Sequence, residues 1–166
     1  MKIPTKITNF LDKNKIKYQV LEHRTVFTAY DLAQTLKQKL GEVIKTLVVK
    51  VDQAHALVIL PASHQVDFKA LKKAIGAKLV AIDKEQIMTK LFKVKPGAVS
   101  SLYGPLNKLP VYADKTVLKL QKAIVQAGSF ENSLHIKTKD LLKVLEAKVV
   151  KFAVAKKLPK VSKGKK

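Results

Sequence analysis

The sequence predicts a mixed α/β fold, in which a mixed sheet or barrel is surrounded by helices. Short β-type runs and amphipathic helical runs are interspersed along the 166 residues, without the strand–helix–strand rhythm of a doubly wound parallel sheet. Several β-type runs follow one another through short turns, as antiparallel neighbours do. With 47% hydrophobic and 27% charged residues the chain can bury one core, and no Gly/Ser/Pro-rich linker divides it. The expected organisation is a single domain over residues 1–155 followed by a basic, disordered tail over 156–166.

Residues 5–15 place Ile7, Phe10 and Leu11 on one helical face, with Pro4 near the start, where a missing N–H is tolerated. Residues 16–23 read as a short strand. Thr28 opens a helix over 28–37, and Asp31, three residues on, makes a variant capping box. Its buried face is Leu32, Ala33 and Leu36. Residues 44–51 alternate as a strand, and 55–62 form its hairpin partner across the 51–54 turn. Over 67–76 a helix is capped by Asp67, buries Phe68, Leu71 and Ile75, and ends at Gly76. A strand over 78–82 precedes a helix over 83–92, with Asp83 and Gln86 as its capping pair. The glycines and prolines of 93–110 prevent regular structure throughout that stretch. Strands follow at 110–114, 123–128 and 133–137, then a helix over 138–146 capped by Thr138. A last short strand falls within 148–154. Residues 156–166 are a charge run without core residues.

The absence of cysteine excludes disulfides, thiol catalysis and cysteine-ligated metals, and fits a cytoplasmic location. No apolar run approaches the roughly 20 residues of a membrane-spanning helix. Residues 1–15 lack the apolar core of a secretory signal, and no membrane partner is expected. The formal net charge of +21 points to a polyanionic partner, nucleic acid first, although bias in a lysine-rich proteome accounts for such an excess equally well. Arg24 is the only arginine. Arginine is the usual bidentate reader of guanine edges, so a lysine surface implies attraction to the backbone more than base readout.

Familiar catalytic signatures are absent: there is no Walker loop, no dinucleotide-binding glycine motif and no nucleophile elbow. His23, His55, His64 and His135 are scattered, with no pair at metal-ligand spacing, so no metal site is expected. Asp12, Asp31, Asp67 and Asp83 fall in or near helix ends, which accounts for them structurally. Asp114 has no such explanation beyond a turn. Lys45 stands apart. Counting by twos, it shares a strand face with Leu47, Val49 and Val51, while Ile44, Thr46, Val48 and Lys50 form a mixed face. Either its ammonium lies in water at a frayed strand start, or it lines a pocket for an anionic or carbonyl-bearing ligand. The stretches "KPGAVSSLYGP" and "AGSFENS" are candidate walls, offering backbone N–H groups.

These stretches, in order and spacing, resemble the YbaK/prolyl-tRNA synthetase-associated editing domains. The resemblance spans residues 5–146 and rests on "EHRTVFTAYDLAQTL", "VIKTLVVKV", "LPASHQVDFKALKKAIGAKLVAI", "KPGAVSSLYG", "LPVYAD" and "AGSFENSLHIKTKDLLKV". It implies a compact α/β fold on a mostly antiparallel, barrel-like sheet. It also implies a trans-acting aminoacyl-tRNA deacylase, cleaving the ester of mischarged tRNA, typically proline tRNA, without a cofactor. Binding alone separates small amino acids poorly, which is why such a hydrolytic sieve exists. The implied partners are aminoacyl-tRNA and a prolyl-tRNA synthetase.

Carried over position by position, the pocket lysine falls on Lys45, holding the terminal-adenosine end of the tRNA through phosphate or hydroxyl groups. Gly97 matches the glycine whose backbone orients the ester carbonyl and the attacking water. Thr46, His23, Thr28 and Ser100 are implied substrate contacts, as are Gly128, Ser129 and Phe130 at the turn bordering the amino-acid pocket. The family is held to use positioned water and the substrate's ribose hydroxyl, with no enzyme nucleophile. Two positions depart from its pattern. Phe130 stands where a histidine is common, and Ser101 where a proline commonly follows the first serine. A non-catalytic tRNA- or nucleotide-binding protein that retains the fold is the alternative these departures favour.

Overall fold

The computed structural model describes residues 3–95 and 98–155; the expected basic tail lies outside them. The elements in chain order are α1 (Thr5–Lys13), β1 (Tyr18–Glu22), α2 (Ala29–Thr35), β2 (Ile44–Val51), β3 (Ala54–Pro61), β4 (His64–Val66), α3 (Phe68–Ile75), β5 (Val80–Ile82) and α4 (Glu85–Phe92). Then follow α5 (Tyr103–Leu106), β6 (Val111–Asp114), β7 (Lys122–Gln126), β8 (Asn132–Lys137), α6 (Thr138–Leu145), β9 (Lys148–Val150) and β10 (Ala153–Ala155). The strands form a five-stranded sheet ordered β5-β2-β3-β6-β9, a three-stranded sheet ordered β1-β8-β7, and the pair β10-β4. Among these the β3–β6 and β6–β9 pairings are parallel and the others antiparallel. The mostly antiparallel, mixed α/β expectation therefore holds. A single parallel bridge from Val43 to Ile124 ties the two larger sheets together, so the barrel-like surface is not a closed ladder.

Both faces of β2 are buried. Ile44 and Val48 join the main core with Leu57 and Ile59 of β3, Phe92 of α4, and Leu134 and Ile136 of β8. The opposite row, Leu47, Val49 and Val51, packs into a second core with Val58, Leu60, Leu71 of α3 and Phe152. The face that looked mixed in sequence is the one on the larger core. Lys45 begins the opposite row, half-buried and directly across from Leu60.

Local chemistry explains most boundaries. Thr28 caps α2 by accepting from the Asp31 N–H (3.1 Å), and Asp67 caps α3 by accepting from Lys69 and Ala70 (3.0 and 3.1 Å). Gly76 ends α3 in the left-handed region. Two capping expectations are corrected. The residue before α4 is Lys84, and no side chain caps that helix. Asp83 instead accepts from His55 Nδ1 at 2.7 Å, tying the β3 start to the α4 start. Thr138 is the first residue of α6 rather than its cap, and its buried hydroxyl finds no partner among the described residues.

Asp114 is almost fully buried and is more than a turn residue. One carboxylate oxygen accepts from the Thr116 N–H (2.9 Å) and hydroxyl, the other from the N–H groups of Phe152 (2.7 Å) and Ala153 (2.8 Å). The expected strand over 148–154 is thereby creased into two: β9 runs parallel to β6, and β10 leaves to pair with β4. Burial alone would raise the Asp114 pKa, but these donors together hold it below the usual carboxylate value.

Gly104 in α5 is required by close approach. A Cβ there would stand 2.4 Å from Val111 Cγ2 and 3.2 Å from Leu57 Cδ1. Valine is stiff at χ1 and both neighbours are fully buried, so Gly104→Ala is expected to cost about 2 kcal/mol. A melting temperature lowered by about 6 °C would register it.

Candidate functional site

A cleft of about 240 Å³ opens between the start of α2, the start of β2 and the end of β7, lined by Phe27, Thr28, Ala29, Leu32, Val43, Ile44, Lys45, Thr46 and Gln126. Each wall is fixed by the local chemistry. The Thr28 cap sets the first turn of α2. Val43 is held on both sides, its carbonyl accepting from Ala62 N–H (2.8 Å) while it bridges to Ile124. Lys45 Nζ donates to the His64 carbonyl of β4 at 3.0 Å, which fixes the ammonium at the cleft wall. Among the described residues the lining contains no acid, and it offers an anion or a carbonyl oxygen a lysine, two threonines, an amide and apolar surface.

A second cleft, of about 310 Å³, is lined by Pro4, Lys93, Val94, Lys95, Ala98, Gly128 and Phe130. Gly128 has φ +80°, and a Cβ there would meet Tyr103 Oη at 2.9 Å and Pro4 at 3.1 Å; conformation and space both demand glycine. Burial raises the pKa of the Tyr103 phenol, so it stays protonated. The two clefts adjoin through one contact: the Phe27 and Phe130 rings lie 4.9 Å apart, tilted by 58°. Two backbone bonds close the same seam, Val26 N–H to Phe130 O (2.9 Å) and His23 N–H to Glu131 O (3.0 Å).

The structure thus brings Lys45, Thr46 and Thr28 together in the first cleft, and places Gly128 and Phe130 in the second. His23, Ser100 and Ser129 line neither. Ser129 Oγ accepts from Glu131 N–H (3.1 Å) and the Asn132 amide (3.3 Å), while Ser100 Oγ accepts from Leu102 N–H (3.3 Å). Gly97 lies outside the described residues. Phe27 and Gln126 are lining residues that the sequence reading did not single out. Phe27 directly precedes a helix cap, where an apolar residue is normally explained by packing onto the first turns, and Gln126 ends an otherwise apolar strand.

Two serine–histidine contacts form, although the sequence showed no such arrangement. His23 Nδ1 is 2.8 Å from the Arg24 carbonyl, which can only accept, so Nδ1 carries a proton. In the neutral ring Nε2 then accepts from the Ser133 hydroxyl at 3.0 Å. Ser133 is buried within β8, across the ladder from Gln126, and is not itself a lining residue of either cleft. Ser63 Oγ lies 3.0 Å from His64 Nδ1, its sequence neighbour. Neither pair lines either of the two clefts, and the carbonyl on His23 Nδ1 supplies no carboxylate to stabilise an imidazolium.

The aminoacyl-tRNA editing domain family matches residues 23–144. A proline–tRNA ligase of Macrococcus caseolyticus is 30% identical over 112 residues, 66% of this chain and 19% of the ligase. The prolyl-tRNA editing protein ProX of Acetoanaerobium sticklandii is 26% identical over 143 residues, 82% of this chain and 87% of that protein. The crystal structure of a candidate trans-editing enzyme for prolyl tRNA synthetase has the same fold, with a TM-score of 0.79 at 19% identity, over 91% of this chain and 96% of that one. The chain spans only about a fifth of the length of the ligases it matches.

Proposed function

The chain belongs to the aminoacyl-tRNA editing domain family, and from that membership we propose that it is a trans-acting deacylase hydrolysing the ester of mischarged tRNA. Proline tRNA is the proposed substrate, because the relatives on both sides of the comparison, free-standing and ligase-borne, are named for prolyl-tRNA. The observation that carries the reading is the convergence of Lys45, Thr46 and Thr28 in a cleft of about 240 Å³ whose described lining holds no acid. That volume lies just below the usual range for small-molecule pockets, roughly 300–1,000 Å³, and suits a small acyl group rather than a whole nucleotide.

In the proposed reaction a water attacks the ester carbonyl, the acyl–oxygen bond breaks, and the ribose oxygen takes up a proton. Free amino acid and uncharged tRNA leave. Lys45, on the wall of the acyl cleft, holds the terminal-adenosine end by its ribose hydroxyl, and the role the resemblance implies for the Gly97 backbone is to orient carbonyl and water. His23, Ser100 and Ser129 support the surrounding turns. The proposed location is the cytoplasm, where tRNA is charged, and a prolyl-tRNA synthetase is the proposed partner. No helix among the described residues is long and apolar enough to cross a membrane.

Proline tRNA charged separately with alanine, cysteine, serine and proline tests this. Selective release of one wrong amino acid supports the reading and names the substrate. The burial of the Ser100, Ser101 and Ser129 hydroxyls favours a second reading, a non-catalytic tRNA-binding protein. Binding of all four charged tRNAs with no release would establish it. Under either reading the +21 charge predicts a steep salt dependence. The logarithm of tRNA affinity should fall linearly with the logarithm of salt, losing on the order of 10³-fold between 50 and 200 mM; a filter-binding series checks it.

A further inference from the structure

Among the described residues the exposed aromatic side chains are Phe27, at 63%, and Tyr30, at 55%, three positions apart at the opening of α2. The rest of the described aromatics are buried or half-buried. Phe27 is exposed although it touches Phe130, so one ring face is left to solvent at the junction of the two clefts. The second cleft carries Lys93 and Lys95 and no acid among its described lining, and it is large enough for a nucleoside. An aromatic face beside paired cations is the arrangement that holds the unstacked end of a single strand: the ring stacks on a base and the cations face its phosphate.

Resting on the deacylase reading, we infer that Phe27 and Phe130 form the shelf on which the terminal base of the RNA stacks. Lys93 and Lys95 flank its 5′-phosphate, and the two clefts receive the two ends of one ligand. The acyl group enters the Lys45 cleft, the nucleotide enters the other, and the ribose bridges the phenyl contact. Phe130 is thereby a nucleotide-positioning residue and not a wall of the acyl pocket.

Titrating AMP into the full chain tests this without any ester to cleave. The adenine proton resonances should move upfield on binding, from the ring current of a stacked phenyl. Phe27→Leu and Phe130→Leu, which keep apolar bulk, should abolish that shift and weaken AMP binding about tenfold. Lys93→Gln with Lys95→Gln should weaken AMP but leave adenosine unchanged. Unshifted adenine resonances, or equal shifts in the leucine variants, would overturn the shelf, as would leucine variants that alter only which amino acid is released. Failure of the two readings is separable. An intact stacking shift without hydrolysis by the native protein removes the deacylase reading alone, whereas hydrolysis with unshifted adenine removes the shelf alone.

Discussion

Lys45→Ala is expected to lower the single-turnover rate of ester hydrolysis by at least about 10²-fold, the usual loss when one preorganised polar group is taken from a reacting centre. The size of the effect follows from where the ammonium is held. It sits half-buried in a cleft whose described lining holds no acid and is pinned by the His64 carbonyl, so it is already in place when a ligand arrives. Alanine removes the cation and leaves that carbonyl without its donor, a loss of about 1 kcal/mol that the fold can bear. Lys45→Arg is not a conservative repair, because a planar fork replaces a compact ammonium. Quench-flow rates on mischarged tRNA, beside thermal melts, check the expectation. Hydrolysis that survives in the alanine variant would remove Lys45 from the mechanism.

Asp114→Ala carries the largest expected loss of stability. It takes away the acceptor of four hydrogen bonds and deprives the buried Phe152 N–H and the half-buried Ala153 N–H of that partner. Each orphaned buried donor costs about 1–3 kcal/mol, so a loss of roughly 4 kcal/mol is expected, a large share of an ordinary domain's 5–15 kcal/mol. The pH dependence has a definite sign. The folded-state pKa of Asp114 is depressed. Its contribution is complete above the unfolded pKa of about 3.9, and is lost as pH falls through the lower folded value. Urea unfolding of the native protein should therefore show a decline below about pH 4, and Asp114→Asn should flatten that limb while being less stable at pH 7. Equal stability of the asparagine variant at neutral pH would overturn this account.

What was legible in the sequence was local. The Thr28 cap, the Asp67 cap and the Gly76 stop are each decided within one helical turn, and the β2–β3 hairpin by alternation across a short turn. What escaped was decided at a distance. Three-residue β4 has too little pattern to read, and exists because β10 pairs with it. Asp83 looked like a cap, because the partner it takes, His55, is brought near only by the folded sheet. Asp114 looked like a turn residue until the backbone of Phe152 and Ala153 was placed against it. For the candidate site, Lys45 was legible as an anomaly of alternation, with both of its explanations open. Its anchoring carbonyl was not, since backbone groups leave no mark in a sequence. Phe27 was hidden by its position before a cap, where an apolar side chain needs no special explanation.

The Lys45–His64 contact also sets an order of assembly. The carbonyl that pins the ammonium belongs to β4, and the sheet partner of β4 is β10, the C-terminal strand of the described chain. Pairings between such distant segments carry a high loop-closure cost and form late in folding. On a ribosome, β2 and β3 emerge and pair long before β10 is made. The ladder behind the carbonyl that holds Lys45 is therefore completed only once β10 has been made, long after β2 and β3 can pair.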